Sequence, residues 1–137
     1  MDWIETSRFP LQGTRTAKIT TVGADGRPHV VPVWFTLDER DLVFSTSSRG
    51  VKGRNMTREP RVAVAVDDET PPCAFASIPG RAVLVERPDD FLEWTTRIAG
   101  RYVGADRAAE MGRLFVELDD LLVRVQIRSF VARAEVV

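Results

Sequence analysis

The chain has 137 residues, of which 44% are hydrophobic and 28% are charged, and its formal net charge is −1. These values predict one soluble globular domain over residues 1–137, and the negative balance argues against a dedicated nucleic-acid-binding protein, which usually carries a basic excess. No apolar run approaches the ~20 residues of a membrane span, and the polar N-terminus does not resemble a signal peptide, so we expect a cytoplasmic protein without a membrane partner.

The first half of the chain predicts a meander of three strands. Residues 16–22 are rich in β-branched side chains, and residues 24–27 contain an Asp-Gly turn pair. Residues 30–35 form a nearly continuous apolar run, and residues 42–44 begin the next strand after a polar turn. Pro32 interrupts the apolar run, which favours an edge, a bulge or unpaired backbone whose N–H and C=O groups a ligand can use.

The second half predicts a short helix, two strands, a helical pair and a closing β segment. One or two helical turns over residues 49–58 end before Pro60, since the residue before a proline avoids the helical region. Residues 61–68 alternate as a strand, and residues 73–86 form a longer strand in which Pro79-Gly80 predicts a bulge or kink. Gly104 separates the two helices, the first with an apolar face of Phe91, Trp94, Thr95, Ile98 and Tyr102.

Residues 121–137 alternate as one or two final strands. The order is therefore five strands, a helical pair, and one or two more strands. A short chain that must protect both edges of such a sheet tends to close it into a small barrel. The sequence predicts an α+β, mainly β fold, namely a six- or seven-stranded antiparallel barrel with a helical pair before the last strands.

The side chains offer little independent catalytic chemistry. One cysteine (Cys73) and one histidine (His29) cannot furnish a zinc-type ligand set, and the carboxylates show no ligand spacing, so no metal site is expected. No G-x-S-x-G elbow accompanies the histidine, which argues against a Ser-His-Asp hydrolase. We therefore leave the catalytic residues unassigned, with Tyr102 or water as the suggested proton donors, and expect a bound cofactor to carry the chemistry.

The segment STSSRGVKGRNM, residues 45–56, is the most informative part of the chain. Four hydroxyls stand at a strand end, Gly50 and Gly53 let the backbone approach a ligand, and the following helix start adds free N–H groups. Lys52 is joined by other cations of the same region, namely Arg49, Arg54, Arg58 and Arg61. The segment does not fit a Walker A loop. Its residues alone are compatible with an anion-binding cradle or with an ordinary solvated corner.

Five segments of this chain resemble the pyridoxamine 5′-phosphate oxidase-like split β-barrel flavoproteins. They are GRPHVVPVWF, LVFSTSS, KGRNMTREPRVAVAV, GRAVLV and LLVRVQIRSF, and the likeness as a whole covers roughly residues 8–133. Within that family the chain is most similar to the small deazaflavin-dependent oxidoreductases that use coenzyme F420. The most specific piece is the Lys-x-x-Asn-Met-x-x-x-Pro pattern formed by Lys52, Asn55, Met56 and Pro60.

The resemblance implies a homodimer that holds two cofactors at the subunit interface. Lys52 would pair with the cofactor phosphate, with Ser47 and Asn55 helping, and Arg54 and Arg58 would either meet an acidic tail or stand in solvent. The cofactor ring would lie along residues 31–34 and Thr46, and the partner subunit would contribute residues 78–80. The expected cofactor-binding set is Val31, Pro32, Val33, Trp34, Ser45, Thr46, Ser47, Gly50, Val51, Lys52, Arg54, Asn55, Arg58, Ile78, Pro79 and Gly80.

The implied reaction is hydride transfer from reduced F420 to an unsaturated or conjugated small-molecule acceptor. The alternative is an FMN-binding oxidoreductase or oxidase on the same barrel, since one lysine and several hydroxyls suit an FMN phosphate equally well. A non-catalytic cofactor-binding barrel is the third reading. The chain departs from the family at Gly50, where members often carry a basic residue, and before the long strand, where only Phe75 offers an aromatic ring.

Overall fold

The computed structural model describes residues 8–134 and residue 136, and these form one antiparallel sheet of eight strands with three helices of at least eight residues. The strands are β1 (Ala17–Val22), β2 (Pro28–Val33), β3 (Thr36–Asp38), β4 (Asp41–Thr46), β5 (Arg61–Asp67), β6 (Phe75–Val85), β7 (Leu121–Ile127) and β8 (Val131–Arg133). The helices are α1 (Val51–Arg58), α2 (Phe91–Val103) and α3 (Ala105–Glu117).

The sheet curls into a barrel, and the two strands at its ends, β2 and β3, follow each other directly in the chain. The strand order is β2-β1-β5-β6-β7-β4-β3, and β8 pairs with β6. Strands β2 and β3 are joined by Trp34 and Phe35 alone, so two residues bridge the open seam of the sheet. This confirms the predicted α+β, mainly β fold with a helical pair before the last strands. The strand number is eight, one more than the larger predicted number, because β3 is a three-residue strand without clear alternation next to the predicted polar turn.

The barrel interior is filled by alternating apolar side chains. In β5 the inward residues Val62, Val64 and Val66 are buried, while the residues between them point outward. Strands β4 and β7 are buried on both faces: Phe44 points into the barrel, and Val43 and Leu122 pack against α2. The helical pair therefore covers the outer side of these two strands, and the predicted apolar face of α2 is the face that packs there.

The two prolines marked in the sequence occupy distinct places in the sheet. Pro32 lies in β2, an end strand of the path, opposite Lys18 of β1. Pro79-Gly80 lies where β6 begins to pair with β7, and Gly80 pairs with both β5 and β7. A Cβ on Gly80 would lie 2.4 Å from Val125 Cγ1 and 3.0 Å from the carbonyl oxygen of Gln126, so this crossing requires glycine. Within residues 8–134 and 136, no helix is long and apolar enough to cross a membrane.

Candidate functional site

The corner between β4 and α1, residues 45–55, leaves backbone N–H groups free at the start of a helix. Ser47 shapes the turn: its Oγ accepts a hydrogen bond from the Arg49 amide at 3.1 Å. Helix α1 has no side-chain cap and no acidic residue in its first turn, and the Arg54 amide donates to the Gly50 carbonyl at 3.0 Å. The amides of residues 51–53 precede this first helical bond, so the helix itself does not use them. Such amides and the positive end of the helix dipole favour a bound anion.

Gly53 allows α1 to pack directly on the turn that precedes it. A Cβ at this position would lie 2.3 Å from the Ser47 carbonyl oxygen and 3.0 Å from the Ser48 Cα atom. At Gly50 a Cβ would make only an ordinary contact of 3.7 Å with the same oxygen. The sequence suggested that both glycines let a ligand approach. In the structure, the group closest to Gly53 is the backbone of Ser47 and Ser48, so the missing side chain lets the helix pack on the corner.

Asp120, a carboxylate that the sequence prediction missed, lies close to the end of β4 where the corner begins, and Lys52 stands on the first turn of α1. Asp120 immediately precedes β7, whose first residue, Leu121, pairs with Thr46 at the end of β4. Burial raises the pKa of Asp120, while a hydrogen bond from Ser45 and the charges of Lys52 and Arg87 act in the opposite direction. Only the pairing of β4 with β7 brings this residue to the corner, so no local sequence pattern could have identified it.

Asn55 and Arg58 bind the protein itself. The buried Asn55 donates from Nδ2 to Thr21 Oγ1 at 3.0 Å, and its Oδ1 accepts from Arg58 Nη2 at 3.1 Å. Arg58 Nη2 also donates to the Val22 carbonyl oxygen at 2.6 Å. These bonds fasten α1 to β1. The contacts expected of Asn55 and Arg58 with a cofactor remain predictions, and both side chains already have structural partners, whereas Arg54 is exposed.

A groove passes along both sides of Ser48. Its first part, about 530 Å³, is lined by Ser48, Glu86, Arg87, Asp119, Asp120 and Leu121. Its second part, about 540 Å³, is lined by Ser48, Arg54, Thr57, Arg58, Leu84, Glu86 and Leu121. Because the two parts share three lining residues, they form one continuous surface beside the corner. The predicted cations Arg54 and Arg58 lie at one end of it, and Asp120 lies at the other.

A smaller and more apolar pocket of about 270 Å³ opens next to Ser45. It joins the predicted residues Val33, Trp34 and Ser45 to Ile98 of α2 and Phe115 of α3. We call it the aromatic pocket, because the Trp34 indole stacks on Tyr102 and lies edge-on to Phe115, with ring centroids 4.8 and 6.1 Å apart. The sequence marked Ile98 only as part of a helical apolar face and did not place either helix at the site.

Tyr102 has a structural role that argues against its suggested role as a proton donor. Its hydroxyl donates to the Arg15 carbonyl oxygen at 2.9 Å and accepts from the Phe35 amide at 3.2 Å and from Arg101 Nη1 at 3.0 Å. Burial raises the pKa of Tyr102 and keeps the phenol protonated. The three partners use the full hydrogen-bonding capacity of a tyrosine hydroxyl.

The remaining predicted residues divide into outward and inward groups. Pro32 and Pro79 are exposed, whereas Val31 and Val33 are partly buried against the barrel core. Ile78 is 1% exposed and belongs to the core, and Thr46 is 4% exposed. The Ile78 side chain points into the core, and the strand carries Pro79 to the surface beside it, so the expected contacts of residues 78–80 with a cofactor remain predictions.

Comparison with known proteins identifies a family match and a similar reductase. Residues 5–128 match the family model described as pyridoxamine 5′-phosphate oxidase. A 5a,11a-dehydrotetracycline/5a,11a-dehydrooxytetracycline reductase of Streptomyces rimosus is 39% identical over 79 residues, which are 55% of this chain and 54% of that protein. The chain thus spans about half the length of this curated relative.

Two solved structures share the fold over most of the chain. A conserved hypothetical protein of Mycobacterium tuberculosis superposes with a TM-score of 0.82 at 24% identity, over 96% of this chain and 84% of that one. A structure described as an F420 reductase superposes with a TM-score of 0.70 at 26% identity, over 90% of this chain and 94% of that one.

Proposed function

The chain belongs to the pyridoxamine 5′-phosphate oxidase family, and from this premise we propose that it is an oxidoreductase that binds F420 at the β4–α1 corner and reduces an unsaturated small molecule. The observation that carries the proposal is the start of α1. There, three backbone amides without helical partners stand beside Lys52, and no acidic residue lies in the first turn of the helix. The similarity to an F420 reductase and to a reductase of dehydrotetracyclines supports the reductive direction.

The donors of the corner fit a phosphate-bearing cofactor. Lys52 supplies a full charge, and residues 51–53 supply amides that point away from the helix. Ser47 Oγ accepts from the Arg49 amide, so its own proton is available to donate to a ligand. These groups combine charge, backbone dipoles and a hydroxyl within a few residues, which is the usual donor set around a phosphate.

When bound, a deazaflavin or flavin supplies the hydride-transfer chemistry. The chain's own contribution is to hold the reactants in place and to exclude water. In the aromatic pocket, Val33, Trp34 and Phe115 offer an apolar wall suited to a planar conjugated molecule. Tyr102 stiffens this wall, because its ring stacks on Trp34 while its hydroxyl is fixed by backbone groups.

FMN is the second candidate cofactor. Lys52, Ser47 and the free amides suit a phosphomonoester as well as the phosphodiester of F420, and the family name itself refers to an oxidase. The exposed Arg54 favours F420, since it stands at the groove end where an acidic tail would meet a positive charge. Arg58 contributes its charge at the same place despite its structural hydrogen bonds.

We further propose that the protein works as a homodimer. The outer side of β2, β1, β5 and β6 carries a row without charge across four strands, because Thr20 pairs with Val30 and Ala63, and Ala63 pairs with Pro79. Val30 is 60% exposed. A row of uncharged and exposed side chains of this kind suits an interface. A second copy covering it would also bring the exposed Pro32 and Pro79 into the interface, where the cofactor is expected.

A cofactor titration tests the proposed function. The protein is expressed in a host that makes FMN but not F420, its visible spectrum is recorded as purified, and the apoprotein is titrated with each cofactor by fluorescence. Colourless protein that binds F420 with micromolar or tighter affinity supports the proposal, and conjugated acceptors can then be screened for turnover. Yellow, FMN-loaded protein would replace it with the flavin alternative. Binding of a cofactor without turnover of any acceptor would indicate a carrier.

A further inference from the structure

The aromatic pocket is small and has no charged lining residue. Four of its lining residues are apolar or aromatic, namely Val33, Trp34, Ile98 and Phe115, and the fifth is Ser45. Its volume of about 270 Å³ lies below the range of ~300–1,000 Å³ that is usual for small-molecule sites. A charged group that entered it would lose water without gaining a partner of opposite charge. The pocket therefore suits a small, uncharged molecule, and its aromatic rings favour a flat one.

Three of the lining residues are part of the packed interior. Ile98 is 2% exposed and lies in the buried cluster of α2, and Trp34 packs against the same cluster. Val33 packs against the barrel core. Phe115 differs, because it is only half-buried and stands on α3, a helix described in full that buries Gly112 alone. The Phe115 ring is thus the part of the wall that can be removed without opening the core.

Hydrogen bonds on either side of Phe115 set its position. Three residues earlier, the Gly112 carbonyl oxygen accepts a hydrogen bond from Thr95 Oγ1 of α2 at 3.0 Å. One residue later, the Val116 carbonyl oxygen accepts a hydrogen bond from Arg87 Nη2 at 2.5 Å. These bonds fasten α3 to α2 and to the segment before α2. The Phe115 ring therefore stands at a fixed place in the pocket wall.

We propose that the aromatic pocket is the site of the hydride acceptor and that Phe115 sets the largest acceptor that the pocket admits. The substrate class is an uncharged, flat conjugated carbonyl compound of about two fused rings, such as a naphthoquinone. This inference rests on the proposed function, since it concerns where the proposed acceptor binds. In the reaction, the acceptor takes a hydride from the reduced cofactor and a proton from water, and the cofactor is oxidised.

The test compares two quinones that share the same reacting ring, a naphthoquinone and the linear anthraquinone with one further fused ring. Both carry methyl groups at the two free positions of the terminal quinone ring, which blocks addition of the Cys73 thiol. Each quinone is given to wild type, Phe115→Ala and the control Leu114→Ala. The kcat/KM is measured with reduced F420, and equilibrium dialysis gives the Kd for the cofactor-free protein. Leu114 adjoins Phe115 in α3, is 42% exposed and does not line the pocket.

Wild type and Leu114→Ala should prefer the naphthoquinone in both affinity and kcat/KM. Phe115→Ala should raise the ratio of anthraquinone to naphthoquinone by about tenfold or more in both quantities, because one group in an apolar pocket changes discrimination by such factors. Phe115→Leu, which keeps a smaller apolar side chain, should shift the ratio in the same direction by a smaller factor. It takes the place of Phe115→Ala should that variant melt early.

Other outcomes separate this inference from the proposed function. If Phe115→Ala changes both quinones by the same factor, or if Leu114→Ala shifts the ratio equally, Phe115 does not set the size of the acceptor. If the cofactor-free wild type binds neither quinone, the aromatic pocket is not the acceptor site. A wild type that binds the naphthoquinone but reduces it with neither reduced F420 nor reduced FMN would refute the proposed function, and the size limit set by Phe115 would then stand on the dialysis ratios alone.

Discussion

The Trp34 indole lies parallel to the Tyr102 ring, with centroids 4.8 Å apart and an interplanar angle of 7°. This stack joins the two-residue bridge between β2 and β3 to the end of α2. The Tyr102 hydroxyl extends the link by accepting from the Phe35 amide and donating to the Arg15 carbonyl. One side chain therefore holds the barrel seam, the segment before β1 and the wall of the aromatic pocket.

Tyr102→Phe should destabilise the protein without abolishing its chemistry. The substitution keeps the stack but leaves a buried amide and a carbonyl without their partner, which costs about 1–3 kcal/mol. Urea unfolding measures this loss, and Tyr102→Ala, which also removes the stack, should lose more. If Tyr102→Phe instead loses turnover at unchanged stability, Tyr102 is a proton donor after all.

Lys52→Ala should weaken cofactor binding roughly ten- to hundredfold. A charge-assisted hydrogen bond contributes about 1.5–3 kcal/mol, and the free helix amides cannot replace it. The dissociation constant is measured by fluorescence titration. Arg113→Ala, which removes an exposed cation on α3 away from the corner, is the control and should bind like wild type. An unchanged dissociation constant for Lys52→Ala would leave the corner as an ordinary solvated turn.

Gly53→Ala and Gly50→Ala should differ in both cofactor affinity and folding stability. The new Cβ at residue 53 would collide with the Ser47 carbonyl oxygen at 2.3 Å, so α1 must move away from the corner. At residue 50, where φ is −72°, the Cβ has room. We expect Gly53→Ala to lose cofactor affinity and about 1–3 kcal/mol of stability, with Gly50→Ala near wild type in both. Equal affinity and stability of the two variants would mean that neither property depends on the close packing of α1 against the corner.

Asp120→Asn should stabilise the cofactor-free protein at neutral pH. Burial raises the pKa of Asp120 in the folded state above its ordinary value of 3.8, so the folded state holds more protons than the unfolded state between these values. The stability of wild type therefore falls as the pH rises through that window, and the full cost is present at neutral pH. The variant should lack this fall, as measured by the free energy of unfolding between pH 3 and 8. Parallel profiles would contradict the effect of burial on Asp120.

Val30→Glu should convert a dimer into a monomer. Val30 is 60% exposed in the uncharged row of the outer sheet face, and a buried unpaired carboxylate at an interface is costly. Light scattering after size exclusion gives the mass in solution. Leu92→Glu, at a position that is 46% exposed on α2, is the control and should keep the mass of wild type. A monomeric wild type would refute the homodimer proposal directly.

The amino-acid sequence determined the features that depend on neighbouring residues. Alternation identified β5 through Val62, Val64 and Val66, and a helical period identified the buried face of α2. The donors of the corner follow one another within residues 45–53, so a single local segment was enough to predict an anion-binding cradle. One strand of three residues, β3, escaped detection, because so short a segment contains barely one period of alternation.

The tertiary structure decided which residues from distant segments meet. The pairing of β4 with β7 brings Asp120 to the end of β4 beside Ser48, and the closure of the barrel seam places Trp34 on Tyr102. It also turned Asn55 inward to Thr21, a contact that depends on how α1 lies across β1. Strand register and helix placement are set by the packing of the whole core, and a one-residue change in register would reverse the direction of every side chain along a strand. Such contacts therefore cannot be derived from one segment of the chain at a time.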